Sequence, residues 1–157
     1  MPRASPPRPI HIRRARPSDS AAIGRNNRAL AFESEGIRLA KAPALRGARC
    51  AIADPTKGFY LIAEVDGRTA GQLFVTREWS DWRCGYYWWI QSLYVVPCLR
   101  RRGVFRALLK EARRLAREDG SVRSLRLYVH AGNRRARAAY QASGFVPAPY
   151  RILERDI

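Results

Sequence analysis

The sequence is poor in the residues and segments that mark several classes of protein. Its 157 residues include three cysteines and two histidines with no short Cys/His spacing. This argues against a disulfide framework and against a zinc module, and it favours a reducing compartment. No apolar run approaches the roughly 20 residues that span a bilayer. The basic N-terminus lacks the apolar core of a signal peptide. We therefore expect a soluble cytoplasmic protein with no metal and no membrane partner.

Acidic residues are also scarce, and lysine is rarer still. Lys and Arg number 30 against 13 Asp and Glu, which gives a net charge of +17, and three of the 30 are lysines. The surplus is localised: residues 50–97 hold four bases and five acids, 98–117 hold eight bases and one acid, and 120–137 hold five arginines and no acid. This distribution predicts that the C-terminal half contacts a polyanion. Solvated basic helix faces are the alternative.

The order of predicted elements indicates one mixed α/β domain. Residues 1–9 form a basic, Pro/Arg-rich arm, which we expect to be flexible, and residues 10–157 form the domain. Apolar spacing and turn residues predict strands at 10–14, 86–96, 124–130 and 150–156, and a hairpin around Asp66–Gly67. Helices are predicted at 19–34 (capped by Ser18), 44–52, 104–118 and from Asn133 to 143.

The residues that indicate a chemical function lie where the predicted strand 86–96 meets the helix at 104. A short loop after Pro97 carries three consecutive arginines into Gly103, directly before that helix. Unpaired N–H groups at a helix start, together with the helix dipole, favour an anion. Gly103 has no Cβ, so a phosphate can approach the main chain. The alternative is an amphipathic helix whose basic first turn is solvated.

Two motifs in this half of the chain resemble a known family. The pattern V-x-P-x-x-R-x-x-G-x-x-R-A-L at 95–108 is similar to the acetyl-CoA-binding signature Q/R-x-x-G-x-G/A of the GNAT superfamily of N-acetyltransferases. Phe105 stands where that signature has Gly or Ala. The stretch LRLYVHAGNRRARAAYQASGF at 125–145 resembles the later strand and helix of the same family. The order of elements agrees over about nine-tenths of the chain.

The resemblance implies a mixed, mostly antiparallel central sheet flanked by helices, an α/β (α+β) fold, and acetyl-CoA as co-substrate. It implies that main-chain groups of Leu93, Tyr94 and Val95 bind the pantetheine arm as an added strand would. It also implies a pyrophosphate site at Arg100, Arg101, Arg102, Gly103, Val104, Phe105 and Arg106.

Asn133 matches the position that contacts the cofactor arm, and Tyr140 matches the tyrosine that protonates the departing thiolate. These two residues are seven apart and share a helix face.

The residue that would accept the proton of the amine is not evident. Many family members have a Glu on the central strand, where this chain has Gln91, which takes no proton at neutral pH. We therefore consider the acids individually, with Glu33 near the end of the first helix and Glu78 and Asp81 in a Trp-rich turn. Acids beside aromatic rings suit a cationic amine, which makes Glu33, Glu78, Asp81 and Gln91 the candidate acceptor-binding residues. The alternative is that Glu78 and Asp81 neutralise neighbouring arginines and the Trp side chains are core.

Three functions remain open from the sequence. The first is an N-acetyltransferase in which a small-molecule or protein amine directly attacks the thioester of acetyl-CoA, with Tyr140 as general acid. The second is a basic nucleic-acid-binding domain, with the N-terminal arm contacting the nucleic acid. The third is a domain that binds acetyl-CoA without catalysis, as the missing Glu allows. Exchange dimers are common in such folds, so a homodimer also remains open.

Overall fold

A computed structural model describes residues 9–157, so the predicted arm lies outside the described residues except for Pro9. The strands are β1 (His11–Arg14), β2 (Phe59–Val65), β3 (Arg68–Ser80), β4 (Gly85–Val95) and β5 (Val122–Leu127). The helices are α1 (Ser20–Glu35), α2 (Lys41–Ala53), α3 (Val104–Asp119) and α4 (Arg134–Ala142). Within this range no helix is long and apolar enough to cross a membrane.

The five strands form one sheet in the order β1-β2-β3-β4-β5. Each adjacent pair of strands from β1 to β4 is antiparallel, and β5 is parallel to β4. The predicted mixed, mostly antiparallel sheet flanked by helices is confirmed. The β2–β3 hairpin turns at Asp66 and Gly67. Both residues have a positive φ (51° and 70°), which the common two-residue hairpin turn requires at its two central positions.

Helices cover both faces of the sheet. On one face α3 buries Val104, Leu108 and Ala112 against the strands, because its apolar residues recur at helical spacing. On the other face α1 and α2 cover Tyr60 and Ile62 of β2. Successive β2 residues point to opposite faces, so this strand is buried on both sides and reads as a continuous apolar run.

Several predicted boundaries were wrong. The strand predicted at 150–156 does not form, and Tyr150, Ile152 and Leu153 are exposed. A strand requires a neighbouring edge, which an alternating sequence does not supply by itself. Asp19, instead of Ser18, precedes α1, because residues 17–19 form a short 3-10 turn. β5 ends at Leu127 instead of 130.

Candidate active site

The strands β4 and β5 separate part-way along their length. Their last paired residues are Ile90 and Leu127, whereas β4 continues beside β3 to Val95. The amide of Val96 donates to Ala70 of β3, 2.9 Å away. Main-chain groups alternate in direction along a strand, so those of Leu93 and Val95 are directed away from β3. The result is a stretch of strand edge that β5 leaves open.

A β-bulge lies in β4 at the start of this open edge. Phe74 of β3 pairs with Ser92, but the next residue, Val75, pairs with Ile90. Gln91 is therefore the extra residue of β4, and its side-chain amide donates to the hydroxyl of Thr76 at 2.8 Å. Bulges bend a strand and redirect its side chains, and they are common beside active sites. The bulge coincides with the separation of β4 from β5.

The loop between β4 and α3 ends in an uncapped helix start. Gly103 has a φ of 88°, and none of the described side chains caps α3 there. The first bond of the helix runs from the amide of Ala107 to Gly103 at 2.9 Å, so the N–H groups of Val104, Phe105 and Arg106 precede it. Among residues 9–157, apart from its chain neighbours, the one residue that a Cβ on Gly103 would have within 4 Å is Ile10, at 3.8 Å. The loop therefore has room and main-chain donors for a diphosphate, and Arg101, Arg102 and Arg106 are exposed around it.

Arg100 at the start of this loop is held in place by Glu33. The Arg100 guanidinium donates to Glu33 at 2.6 Å and to the main-chain oxygen of Val95 at 2.9 Å. The hydroxyl of Tyr94 donates to the other oxygen of Glu33 at 2.9 Å. Burial is the main reason that the pKa of Tyr94 is raised, and its bond to Glu33 adds to the effect. Glu33, a candidate for the acceptor amine, is therefore paired with Arg100 at the start of the loop between β4 and α3.

Tyr140 lies at the wall of a cavity of about 400 Å³ between α1, the open edge of β4 and α4. Burial raises the pKa of Tyr140 to about 12, so its hydroxyl stays protonated at neutral pH. Its ring packs against Phe105, with the ring centres 5.3 Å apart, and against Phe145 at 5.6 Å. Phe105 thus contacts the predicted general acid from the position where the family signature has Gly or Ala.

Residues from the predicted site share this cavity with residues that sequence reasoning did not select. The polar lining includes the predicted residues Gln91, Asn133 and Tyr140, and in addition Asn27, Glu35, Ser92, Tyr128 and His130. The side-chain oxygen of Asn133 caps α4 by accepting from the amide of Ala136 at 3.0 Å. Its NH₂ group is not used in that cap.

Of the four acceptor candidates, Gln91 lines this cavity, whereas Glu33, Glu78 and Asp81 are not in its lining. Glu78 accepts from the indole N–H of Trp89 and lies 3.6 Å from Arg126. Asp81 lies in the β3–β4 turn, where it accepts from the amide of Trp82 at 2.9 Å. Of the Trp side chains in this region, Trp88 is core, 2% exposed, whereas Trp82 is 91% exposed.

Part of the cavity lining that the sequence analysis did not select could have been found from its helical spacing. Asn27, Leu30, Ala31 and Ser34 recur at helical spacing, so one face of α1 forms a wall of the cavity. Asn27 accepts from Gln72, which is fully buried, at 2.7 Å and donates to the hydroxyl of Tyr60 at 3.3 Å. This buried network fixes α1 to β2 and β3.

His130 is positioned as a hydrogen-bond acceptor at Nδ1. That nitrogen accepts from the amide of Gly132 at 3.2 Å. Among residues 9–157, no group of three or more His, Cys, Asp or Glu side chains could hold a metal ion.

The chain resembles proteins of a known family in sequence and in fold. The family model of the acetyltransferase (GNAT) family matches residues 27–145. A protein described as a possible acetyltransferase from Clostridium difficile 630 is 34% identical, with a TM-score of 0.89 over 94% of this chain and 97% of that one. A search of curated proteins found no match.

Two more distant structures share the fold. An aminoglycoside N-acetyltransferase in complex with CoA is 19% identical, with a TM-score of 0.75 over 99% of this chain and 98% of that one. A ribosomal-protein-alanine N-acetyltransferase from Brucella melitensis biovar Abortus 2308 is 17% identical, with a TM-score of 0.76 over 95% and 100% of the two chains.

Proposed function

Because the chain belongs to the GNAT acetyltransferase family, we propose that it transfers the acetyl group of acetyl-CoA to a primary amine by direct attack. One observation carries this proposal: Tyr140, Asn133 and Gln91 line a single cavity beside the open edge of β4. The acceptor is a small molecule or a protein amine. Two relatives support these two classes by their names, one as an aminoglycoside N-acetyltransferase and one as a ribosomal-protein-alanine N-acetyltransferase.

The donor is held by main-chain groups and by arginines. The N–H groups of Val104, Phe105 and Arg106 and the exposed side chains of Arg101 and Arg102 bind its diphosphate. The open main-chain groups of Leu93 and the N–H of Val95, whose oxygen accepts from Arg100, bind the pantetheine arm in the manner of a neighbouring strand. Tyr94 contributes to donor binding indirectly: its hydroxyl donates to Glu33, and Glu33 holds Arg100 in place. Asn133 donates to the arm with its uncommitted NH₂ group.

Acetyl-CoA supplies a thioester whose thiolate, with a parent pKa of about 8.5, is a moderate leaving group. Tyr140 donates the proton that this thiolate receives as the C–S bond breaks. Burial disfavours the phenolate that this donation leaves, so Tyr140 regains a proton from water, and the proton that the attacking amine loses passes to water as well. Phe105 and Phe145 hold the ring of Tyr140 and keep water from its faces.

The experiment combines an amine panel with a binding titration. Thiol release is followed with small and peptide amines, and acetyl-CoA binding is measured by calorimetry. We expect Tyr140→Phe to lower kcat by about 100-fold or more with an unchanged Kd for acetyl-CoA. Tyr86→Phe, at a residue of β4 that is not in the lining of this cavity, is the matched control and keeps full activity.

Each other outcome points to a different function. Full activity of Tyr140→Phe would remove the general acid from the mechanism. Tight binding of acetyl-CoA without acetylation of any amine would indicate the non-catalytic domain. Absence of acetyl-CoA binding, together with salt-sensitive binding of an oligonucleotide, would indicate the nucleic-acid-binding domain.

We also propose a homodimer and a cytoplasmic location. The exposed indoles of Trp79 (55%) and Trp82 (91%) at the β3–β4 turn support a partner surface there. Cys50, Cys84 and Cys98 are free and exposed, which favours a reducing compartment.

A further inference from the structure

A second, larger cavity adjoins the one that contains Tyr140. It has a volume of about 1870 Å³ and lies between β5, α4 and the C-terminal segment after Gly144. Tyr128, Val129 and Tyr140 line both cavities. A molecule that occupies the larger cavity therefore adjoins the place where we propose that the acetyl group is transferred. We call this larger cavity the outer groove.

The outer groove is strongly basic. Six arginines line it: Arg83, Arg113, Arg126, Arg134, Arg137 and Arg151. Among its described lining residues the acidic one is Glu78, whose carboxylate already binds Trp89 and Arg126. By contrast, the described lining of the smaller cavity includes Glu35 and no lysine or arginine. The groove therefore attracts negative charge and repels a polycation, whereas the smaller cavity admits an amine.

We propose that the outer groove binds an acidic segment of a polypeptide acceptor whose primary amine enters the smaller cavity. This inference rests on the proposed function and specifies its acceptor. Small ligands fill cavities of about 300–1000 Å³, so the outer groove is large enough for an extended segment of chain.

A polypeptide suits both cavities better than a nucleic acid does. The transfer requires a nucleophilic aliphatic amine, which every polypeptide has at its N-terminus or on lysine and which nucleic acids lack. The aromatic residues Tyr87, Trp89 and Tyr150 give the groove apolar surface for the stems of Asp and Glu. Arg126 lies over the ring of Tyr87 at 3.5 Å, which holds one guanidinium in a fixed position.

The test compares two peptides of equal length with the same two N-terminal residues. One carries Glu at positions 3–8 and the other carries Gln there, so their shapes match and their charges differ. We expect kcat/KM to be about tenfold higher for the Glu peptide at 50 mM salt, since several exposed charge pairs each contribute a small factor. The preference declines as salt is raised to 300 mM.

Charge-reversal variants locate the effect. In Arg113→Glu/Arg137→Glu, both on the groove, we expect the preference for the Glu peptide to fall from about tenfold to about one. Arg46→Glu/Arg49→Glu on α2 changes the net charge equally away from the groove and keeps the preference. Thermal melting checks that each variant folds, and the salt dependence of the unmodified protein tests the proposal without any variant.

Three results would overturn the inference. The first is equal kcat/KM for the two peptides in the unmodified protein. The second is a loss of acetyl-CoA affinity in the groove variant that matches its loss of activity, which would assign these arginines to the donor. The third is a single-stranded oligonucleotide that displaces the Glu peptide at lower concentration than the peptide itself requires. Failure of the proposed function is distinct from all three, because then no amine, the Gln peptide included, releases thiol.

Discussion

Glu33 and Glu35 lie two positions apart near the end of α1, and a helix places such neighbours about 200° apart around its axis. Glu33 therefore binds Arg100 and Tyr94 beside the loop between β4 and α3, while Glu35 lines the cavity that contains Tyr140. The sequence analysis selected Glu33 as an acceptor candidate because it lies near the end of this helix. It did not indicate which of the two acids faces the acceptor, because that depends on the rotation of α1 against the sheet.

The pair of acids gives a matched test at the residue scale. We expect Glu33→Gln to weaken acetyl-CoA binding about fivefold, because the neutral amide no longer holds the Arg100 guanidinium. Glu35→Gln instead raises the KM for the acceptor and leaves the Kd for acetyl-CoA unchanged. Calorimetry and steady-state kinetics measure the two constants separately. The opposite assignment of effects would restore Glu33 as an acceptor-binding residue.

A second residue-scale prediction concerns pH. Burial raises the pKa of Tyr140 to about 12, which means that the phenol keeps its proton through the range in which the acceptor amine loses its own. We expect kcat to rise with pH as the amine deprotonates and to show no descending limb between pH 9 and 11. A tyrosine with an ordinary pKa of about 10 would produce that limb. The pH profile of kcat, recorded where circular dichroism shows a folded protein, distinguishes the two.

At the scale of elements, Gly71 determines how closely α3 approaches the sheet. A Cβ at this position would lie 2.7 Å from the main-chain oxygen of Tyr94 and 3.0 Å from Val104. We expect Gly71→Ala to destabilise the fold by about 2 kcal/mol, because both neighbours must shift. It also weakens acetyl-CoA binding, since the shift displaces the junction of β4 and α3.

Gly47→Ala is the control for that substitution. Gly47 lies in α2, and apart from the backbone of that helix no described residue comes within 4 Å of an added Cβ, so alanine is expected to stabilise the protein by about 0.5–1 kcal/mol. Urea unfolding measures both variants. An unchanged midpoint for Gly71→Ala would show that the β4–α3 junction can absorb the methyl group.

Elements with strong local signals were predictable from the sequence, and pairings between distant residues were not. The Asp66–Gly67 hairpin and α3 follow from turn chemistry and helical periodicity, and both form as expected. The residues around Gln91 read as an uninterrupted strand, because the bulge depends on register with β3. The terminal strand failed for a related reason: Tyr150, Ile152 and Leu153 have a suitable pattern, but a strand is stabilised by the edge it joins.

The same division applies to the candidate site. The loop and helix start at Gly103 were predictable from the sequence, since glycine, arginines and a helix start are all local features. The cavity that contains Tyr140 was not, because it combines α1, the end of β4 and the segment that follows β5. Acids that are close in sequence to tryptophans, such as Asp81, were grouped on proximity along the chain. Asp81 lies in a turn, as predicted, but it is not among the residues that line the cavity of Tyr140.

At the scale of the whole molecule, a homodimer would cover the exposed indoles of the β3–β4 turn. We expect analytical ultracentrifugation to give twice the chain mass of 17.9 kDa. Trp82→Ser is expected to weaken the dimer, because Trp82 is 91% exposed in the single chain. Leu153→Ser, at an equally exposed site in the C-terminal segment, is the control. Dissociation by Leu153→Ser alone would assign the interface to that segment.

The position of α1 has a consequence for the kinetics of the whole enzyme. Within three residues, Glu33 of this helix binds Arg100 of the loop that we propose binds acetyl-CoA, and Glu35 lines the cavity that we propose admits the amine. A helix is stiff over such a distance, so it moves as a unit. We therefore expect acetyl-CoA and the acceptor to change each other's affinity, because a shift of α1 at one of these residues is carried to the other.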